Sequence, residues 1–359
     1  MKFSFESGSL ESEAEGKNGG ITQRTYETGG VPIELTCREF ESSVREGSEE
    51  ERGSEIVFLP GVGLDVDTKT AEDIGEAFAQ NKNGGETYVI RAKVRENIED
   101  TMGVENDAII KFLDENGLEN FVLAGQSQGG DRAISIAAEI GERIRALVLV
   151  DAVGLYEQKP GELAAKFFKD SGVDTTPAVI SHLFKGRKDK LSTLKRGLQS
   201  GSDIIFGIIK DIVNIGRANK LESTERVKKE VEELAKVNPR LSEIRVPVVL
   251  ISGAEDPISD PERIAPIQKE IYSTEMMTDL GKELYGNDRA KEAQLRNIRA
   301  RNEYVKNNLF PNSPWCKVIV PEKMAHHGLQ IFRPEAVANA ALGLIERGER
   351  EAKEEVETV

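Results

Sequence analysis

Apolar and polar positions follow one rhythm in the first 54 residues and another after them. At the start the pattern is alternation. Residues 2–6 predict a short strand, and residues 7–20, polar and glycine-rich, a loop. Residues 21–28 and 31–40 flank Gly29-Gly30, which is a hairpin signal. Ile33, Leu35 and Cys37 alternate with polar neighbours, so this hairpin buries one face. Residues 41–54 read as a charged loop. From residue 56 the alternation gives way to unbroken apolar runs. Residues 56–60, 87–92, 121–124 and 144–150 suit strands buried on both faces of a parallel sheet. Segments with helical spacing separate them: 68–80, with Ile74, Ala77 and Phe78; 104–113, with Ala108, Ile109, Phe112 and Leu113; and 127–140, rich in Ala and Ile. Alternating units of this length predict an α/β fold, a mostly parallel sheet flanked by helices.

After Asp151 the alternation stops. Residues 161–238 read as amphipathic helix throughout, with Leu163, Phe167 and Phe168 on one stripe and isoleucines at helical spacing over 204–215. Residues 246–252 resume the parallel-strand texture. Residues 262–309 are helical and charged, 316–320 form a last strand and 334–347 a last helix. The expected organisation is therefore a core whose first part is 1–153 and a helical lid at 154–244. The second part of the core is 245–347, with its own helical insertion near 262–310, and 348–359 is a charged tail read as a solvated helix end.

Composition narrows the function classes. The net charge of −15 argues against nucleic acid or an anionic membrane surface as the main partner. No 18-residue apolar run exists, so no membrane span is expected, and the N-terminus lacks the apolar region of a signal peptide. A cytoplasmic location is the expectation. Cys37 and Cys316 make neither a disulfide framework nor a metal-ligand spacing, and read as buried apolar thiols. No pattern specifies an oligomeric state.

The chemistry centres on Gly125-Gln126-Ser127-Gln128-Gly129, between the predicted strand 121–124 and the helix that follows. A serine held between two glycines on a sharp strand-to-helix turn is a nucleophile elbow. The turn leaves no room for a Cβ at the flanking positions, and it aims the Gln128 N–H at any oxyanion formed beside Ser127. The motif alone is a weak signal, so its partners decide. A serine hydroxyl needs a base. Of the three histidines, His182 falls in the helical insertion, whereas His326 and His327 follow the last predicted strand. The base needs a carboxylate to hold its tautomer. Asp256 follows the strand 246–252, with Glu255 and Asp260 as competitors. A second oxyanion donor is expected in the loop after the first parallel strand, where Gly61 and Gly63 flank the Val62 N–H. This loop is no dinucleotide fingerprint, because position 66 is valine.

With these residues in place, the chain resembles the α/β-hydrolase superfamily, in the lid-bearing branch that holds many esterases and peptidases. The resemblance spans about residues 31–347. Pro60-Gly61 ahead of Val62 is similar to the family's oxyanion loop, and Gly253-Ala254-Glu255-Asp256-Pro257 to its acid loop. The family's base often stands seven residues before a proline that opens the last helix, which points to His327 ahead of Pro334. His326 replaces the glycine usual before that histidine. Gln128 stands where Met, Trp or Leu is common, so no subfamily is indicated. A serine rather than an aspartate nucleophile speaks against dehalogenase and epoxide hydrolase chemistry. The resemblance implies a serine hydrolase of a carboxylic ester, less readily of a thioester or amide. Ser127, Asp256 and His327 are its catalytic residues, Val62 and Gln128 its oxyanion donors, and Gly61, Gly63, Leu64 and Val153 line a small apolar substrate. No metal or organic cofactor is implied. A lidded aminopeptidase using Glu222, Glu225 and Glu230, and a non-catalytic scaffold, are the alternatives.

Overall fold

The computed structural model describes residues 12–14, 20–42, 53–61, 64–94, 98, 100–169, 231–253, 256–266, 287–320 and 334–357. Nine strands, β1 (Ser12–Ala14), β2 (Ile21–Thr28), β3 (Val31–Phe40), β4 (Ser54–Leu59), β5 (Gly84–Val94), β6 (Phe121–Gln126), β7 (Ile144–Val150), β8 (Val248–Ile251) and β9 (Cys316–Ile319), form one sheet. Their order is β1-β2-β3-β5-β4-β6-β7-β8-β9. From β5 to β9 every neighbouring pair is parallel, while β1, β2 and β3 are antiparallel.

The hairpin turns where the sequence predicts. Gly29 and Gly30 take φ of 61° and 81°, the left-handed pair that a two-residue turn between twisted strands needs. Ile33, Leu35 and Cys37 are fully buried. The loop expected over 7–20 is corrected in part. Residues Ser12–Ala14 pair with β2 as an edge strand, which uses backbone groups only and so leaves no trace in the side-chain pattern. The strand expected at 2–6 lies outside the described residues. β5 extends beyond the predicted 87–92, because its antiparallel register with β3 runs from Thr87 to Val94 and its parallel register with β4 begins at Gly84.

Helices cover both faces. One side carries α1 (Lys69–Ala79) and the last helix, α7 (Pro334–Glu357). Ile74 and Phe78 of the first and Val337, Ala341 and Ile345 of the second pack on Ile56, Phe58, Val122, Val148 and Val249. The opposite side carries α2 (Thr101–Glu115), α3 (Gln128–Ile140) and α6 (Asn287–Asn308). Ile109, Phe112, Ile134, Ala137 and Val305 pack there on Val57, Leu59, Leu123, Leu147 and Leu149. Successive residues of each central strand therefore go to opposite cores, the reason these strands read as unbroken apolar runs.

Between β7 and β8 the chain leaves the sheet through α4 (Pro160–Lys169) and returns by residues 231–247. The isoleucine-rich face of 204–215, His182 and the acidic trio Glu222, Glu225 and Glu230 lie outside the described residues. α5 (Pro261–Ile264) and α6 are the described helices of the second insertion. The charged run after 347 continues α7 without a break, and part of it is engaged. Glu349 grips Arg145 at the start of β7 with two bonds of 2.8 and 2.7 Å, and Glu351 meets Lys317 and Arg347. Both cysteines are buried thiols, pushed up by that burial, Cys316 to about 11. Among the described residues no helix is long and apolar enough to cross a membrane, and no group of three or more His, Cys, Asp or Glu could hold a metal ion.

Candidate active site

Strand order places the site. β4 is followed in sequence by β5 on one side of it, while β6 lies on the other. The carboxyl ends of β4 and β6 thus mark the point where strand order reverses, the place where open α/β sheets put their sites. Gly61 and Ser127 stand at these two ends.

Ser127 joins β6 to α3 with φ 53° and ψ −119°, a backbone region that residues with a side chain rarely occupy. Such strain costs about 1–3 kcal/mol and persists only where neighbours impose it. Here the neighbours are explicit. A Cβ on Gly129 would run into the Leu59 carbonyl, its carbon 2.6 Å away, and a Cβ on Gly125 would meet the Gly129 carbonyl carbon at 2.6 Å. Both glycines are thus required by contact between α3, β4 and β6, as the sequence implies. The Ser127 N–H donates to Val150 O at 3.1 Å, and Ser127 O accepts from Gly130 and Val153 at 3.0 and 3.2 Å. The serine is buried, and Gln128 opens the helix beside it.

The loop after β4 is drawn onto the elbow by a residue that the pattern alone did not single out. Gln126, buried at the end of β6, accepts the Gly61 N–H on its Oε1 at 3.0 Å. A Cβ on Gly61 would lie 2.9 Å from Ser127 Cβ, so only glycine lets the loop pass so close to this serine. Leu64 closes the turn by donating to Gly61 O at 3.3 Å and is buried. Val62 and Gly63 lie outside the described residues. Val153 packs with Leu163, Leu234, Ala235 and Ile258, at the base of the insertion.

Asp256 is buried two strands from the elbow. Its Oδ1 accepts the N–H groups of Ile258 at 2.7 Å and Ser259 at 2.9 Å, a cradle suited to a carboxylate. Short links tie this loop to the elbow. Ser259 Oγ donates to Ala152 O at 2.9 Å, and the next residue, Val153, donates to Ser127 O. Asp260, the sequence competitor, caps α5 instead, taking the Glu262 N–H at 2.9 Å. Glu255 lies outside the described residues. A carboxylate not anticipated from sequence, Asp151, ends β7 with φ 46° and is fully buried. Its Oδ1 takes the Gly253 N–H at 2.9 Å, which supports the start of the segment that carries Asp256. A second, Asp131, lies in the first turn of α3 and accepts Asn238 Nδ2 at 2.7 Å. Burial, only partly offset by Asn238 and Arg132, pushes its carboxyl up to about 6.

His326 and His327 lie outside the described residues. In sequence they follow β9, which runs parallel beside β8, so the carboxyl ends of these two strands lie at one edge of the sheet.

Comparison with protein-family models found no match, and neither did comparison with curated proteins. Solved structures do match. A probable hydrolytic enzyme from Pseudomonas aeruginosa PAO1 aligns over 90% of this chain and 93% of its own, at 15% identity and a TM-score of 0.54. A thermophilic esterase from Thermogutta terrifontis aligns over 96% and 99%, at 16% identity and a TM-score of 0.50. A bromoperoxidase from Bacillus anthracis aligns over 90% and 99%, at 15% identity and a TM-score of 0.50. At these identities the likeness is one of fold.

Proposed function

The chain has the α/β-hydrolase fold, and on that premise we propose that it is a serine hydrolase that cleaves a carboxylic ester of a small apolar substrate. Ser127 attacks the carbonyl carbon. His327 takes the serine proton and later returns it to the leaving alcohol. Asp256, its Oδ1 already engaged by two N–H groups, turns its other oxygen to the histidine and fixes the tautomer. The N–H groups of Val62 and Gln128 hold the oxyanion. Water then attacks the acyl-enzyme with His327 as base. Gly61, Gly63, Leu64 and Val153 lie around the acyl group. The reaction as proposed draws on no metal or organic cofactor.

The observation that carries this reading is the strained backbone of Ser127, held at φ 53° between two glycines where a Cβ would press on backbone atoms. A packing role would not call for that strain. The neighbours described as a hydrolytic enzyme and an esterase support the same class. The test is labelling with a fluorophosphonate, followed by peptide mapping. Modification of Ser127 in the wild type, absent from Ser127→Ala, is the expected result, together with turnover of p-nitrophenyl esters. A folded wild-type protein that stays unlabelled and hydrolyses no ester would overturn the proposal in favour of a scaffold.

A further inference from the structure

The carboxylate of Asp256 is held by a peptide that the insertion itself grips. The Ile258–Ser259 peptide unit presents its N–H to Asp256 Oδ1 at 2.9 Å. The carbonyl of the same unit, Ile258 O, accepts from Tyr156 Oη at 2.7 Å and from Gln158 Nε2 at 3.0 Å. Both donors belong to the limb that leaves β7 for the insertion, about a hundred residues earlier in the chain. The phenol is fixed in turn. Its oxygen accepts the Asp260 N–H at 3.1 Å, and the Arg263 guanidinium lies 4.4 Å over its ring. Burial keeps the phenol protonated, with its pKa raised to about 12. Gln158 is buried, and its N–H ties the outgoing limb to the returning one at Ala235 O, 2.7 Å.

Resting on the reading of Asp256 as the catalytic acid, we infer that Tyr156 and Gln158 are positioning residues for it, acting through the Ile258–Ser259 peptide. The argument is geometric and electrostatic. A peptide plane is rigid, so two bonds on its carbonyl set the direction of its N–H. Donors on the carbonyl also polarise the unit and strengthen the bond that its N–H gives. Asp256 sits in an irregular turn, between β8 and α5, with no ladder of its own to orient the carboxylate. The orientation comes from the base of the insertion, through the bonds of Tyr156 and Gln158 to Ile258 O.

The experiment measures the rate at which a fluorophosphonate modifies Ser127, which needs no knowledge of the natural substrate. Tyr156→Phe removes the hydroxyl and keeps the ring against Arg263; Gln158→Met is the second variant. Each is expected to lower the limiting inactivation rate about ten-fold, the effect of one buried hydrogen bond, with the half-saturating probe concentration unchanged. In an Asp256→Asn background the same substitutions should cost less than about two-fold, because their route of action is gone. Equal losses in both backgrounds, or a rise in half-saturating concentration alone, would show a general loosening and overturn the inference. No loss in the wild-type background would overturn it as well. Failure of the underlying reading looks different: there, Asp256→Asn itself would leave the labelling rate unchanged, and the inference would fall with it.

Discussion

Asp131 allows a quantitative test of how tightly the elbow helix and the returning limb of the insertion are packed. Its carboxyl is buried under Gly154, where φ is +81° and a Cβ would stand 3.0 Å from Asp131 Cγ. One good donor, Asn238 Nδ2, reaches it. Desolvation is the leading influence and raises its pKa from 3.8 to about 6; Asn238 and Arg132 pull it down, and Glu233 raises it. The folded protein then binds a proton more tightly than the unfolded chain does. The stabilising effect of that proton is complete below the unfolded value of 3.8 and is lost as pH rises through about 6. The shift is about two pH units, which at about 1.4 kcal/mol per unit comes to about 3 kcal/mol, with about 2–3 kcal/mol of it falling between pH 4 and 7.5. Asp131→Asn keeps the shape and the acceptor for Asn238 but cannot titrate. Urea unfolding can be followed by Trp315, the one tryptophan of the chain. Over that pH range the wild type should lose about 2–3 kcal/mol more than the variant. Parallel profiles for the two proteins would refute the reasoning and mean that the carboxyl is solvated or better paired than this packing implies.

Three further outcomes are expected. Gly129→Ala sets a Cβ against the Leu59 and Pro60 carbonyls, the latter at 2.8 Å, and should destabilise by about 1–3 kcal/mol and slow Ser127 labelling; Gly141→Ala, whose Cβ would meet only Val246 Cγ1 at 3.6 Å, should shift the unfolding midpoint very little. His327→Ala should lower ester turnover by several orders of magnitude and His326→Ala far less, and the reverse ranking would move the base to His326. Asp256→Asn should reduce turnover about ten-thousand-fold, whereas Asp151→Asn, which keeps an acceptor for the Gly253 N–H, should act mainly on thermal stability; a larger turnover loss at Asp151 would make it the acid.

Local rules explain what was legible from the residues alone. The parallel strands are readable because both of their faces are buried, and the flanking helices because α1 and α2 keep an apolar stripe toward the sheet. The elbow is readable because the turn at Ser127 excludes a Cβ at Gly125 and Gly129, a constraint that leaves its mark within five residues. That Asp256 shares a sheet edge with Ser127 was readable from its place after β8, since strands of a parallel sheet deliver their following loops to one edge. Contacts between distant segments leave no such mark. Gln126 holding Gly61, Asn238 holding Asp131 across 107 residues, and Tyr156 and Gln158 holding Ile258 O join loops that meet only once the sheet has assembled. Their side chains are ordinary polar residues in sequence, and their role arises from the buried backbone groups that the fold sets opposite them. The pairing of β1 and the length of β5 likewise came from neighbouring strands, because a ladder needs only backbone and draws on residues of any polarity. Periodicity and glycine sterics thus determined the architecture and the sharp turn at Ser127, while the assembled sheet edge decided what holds Ser127 and Asp256 in place.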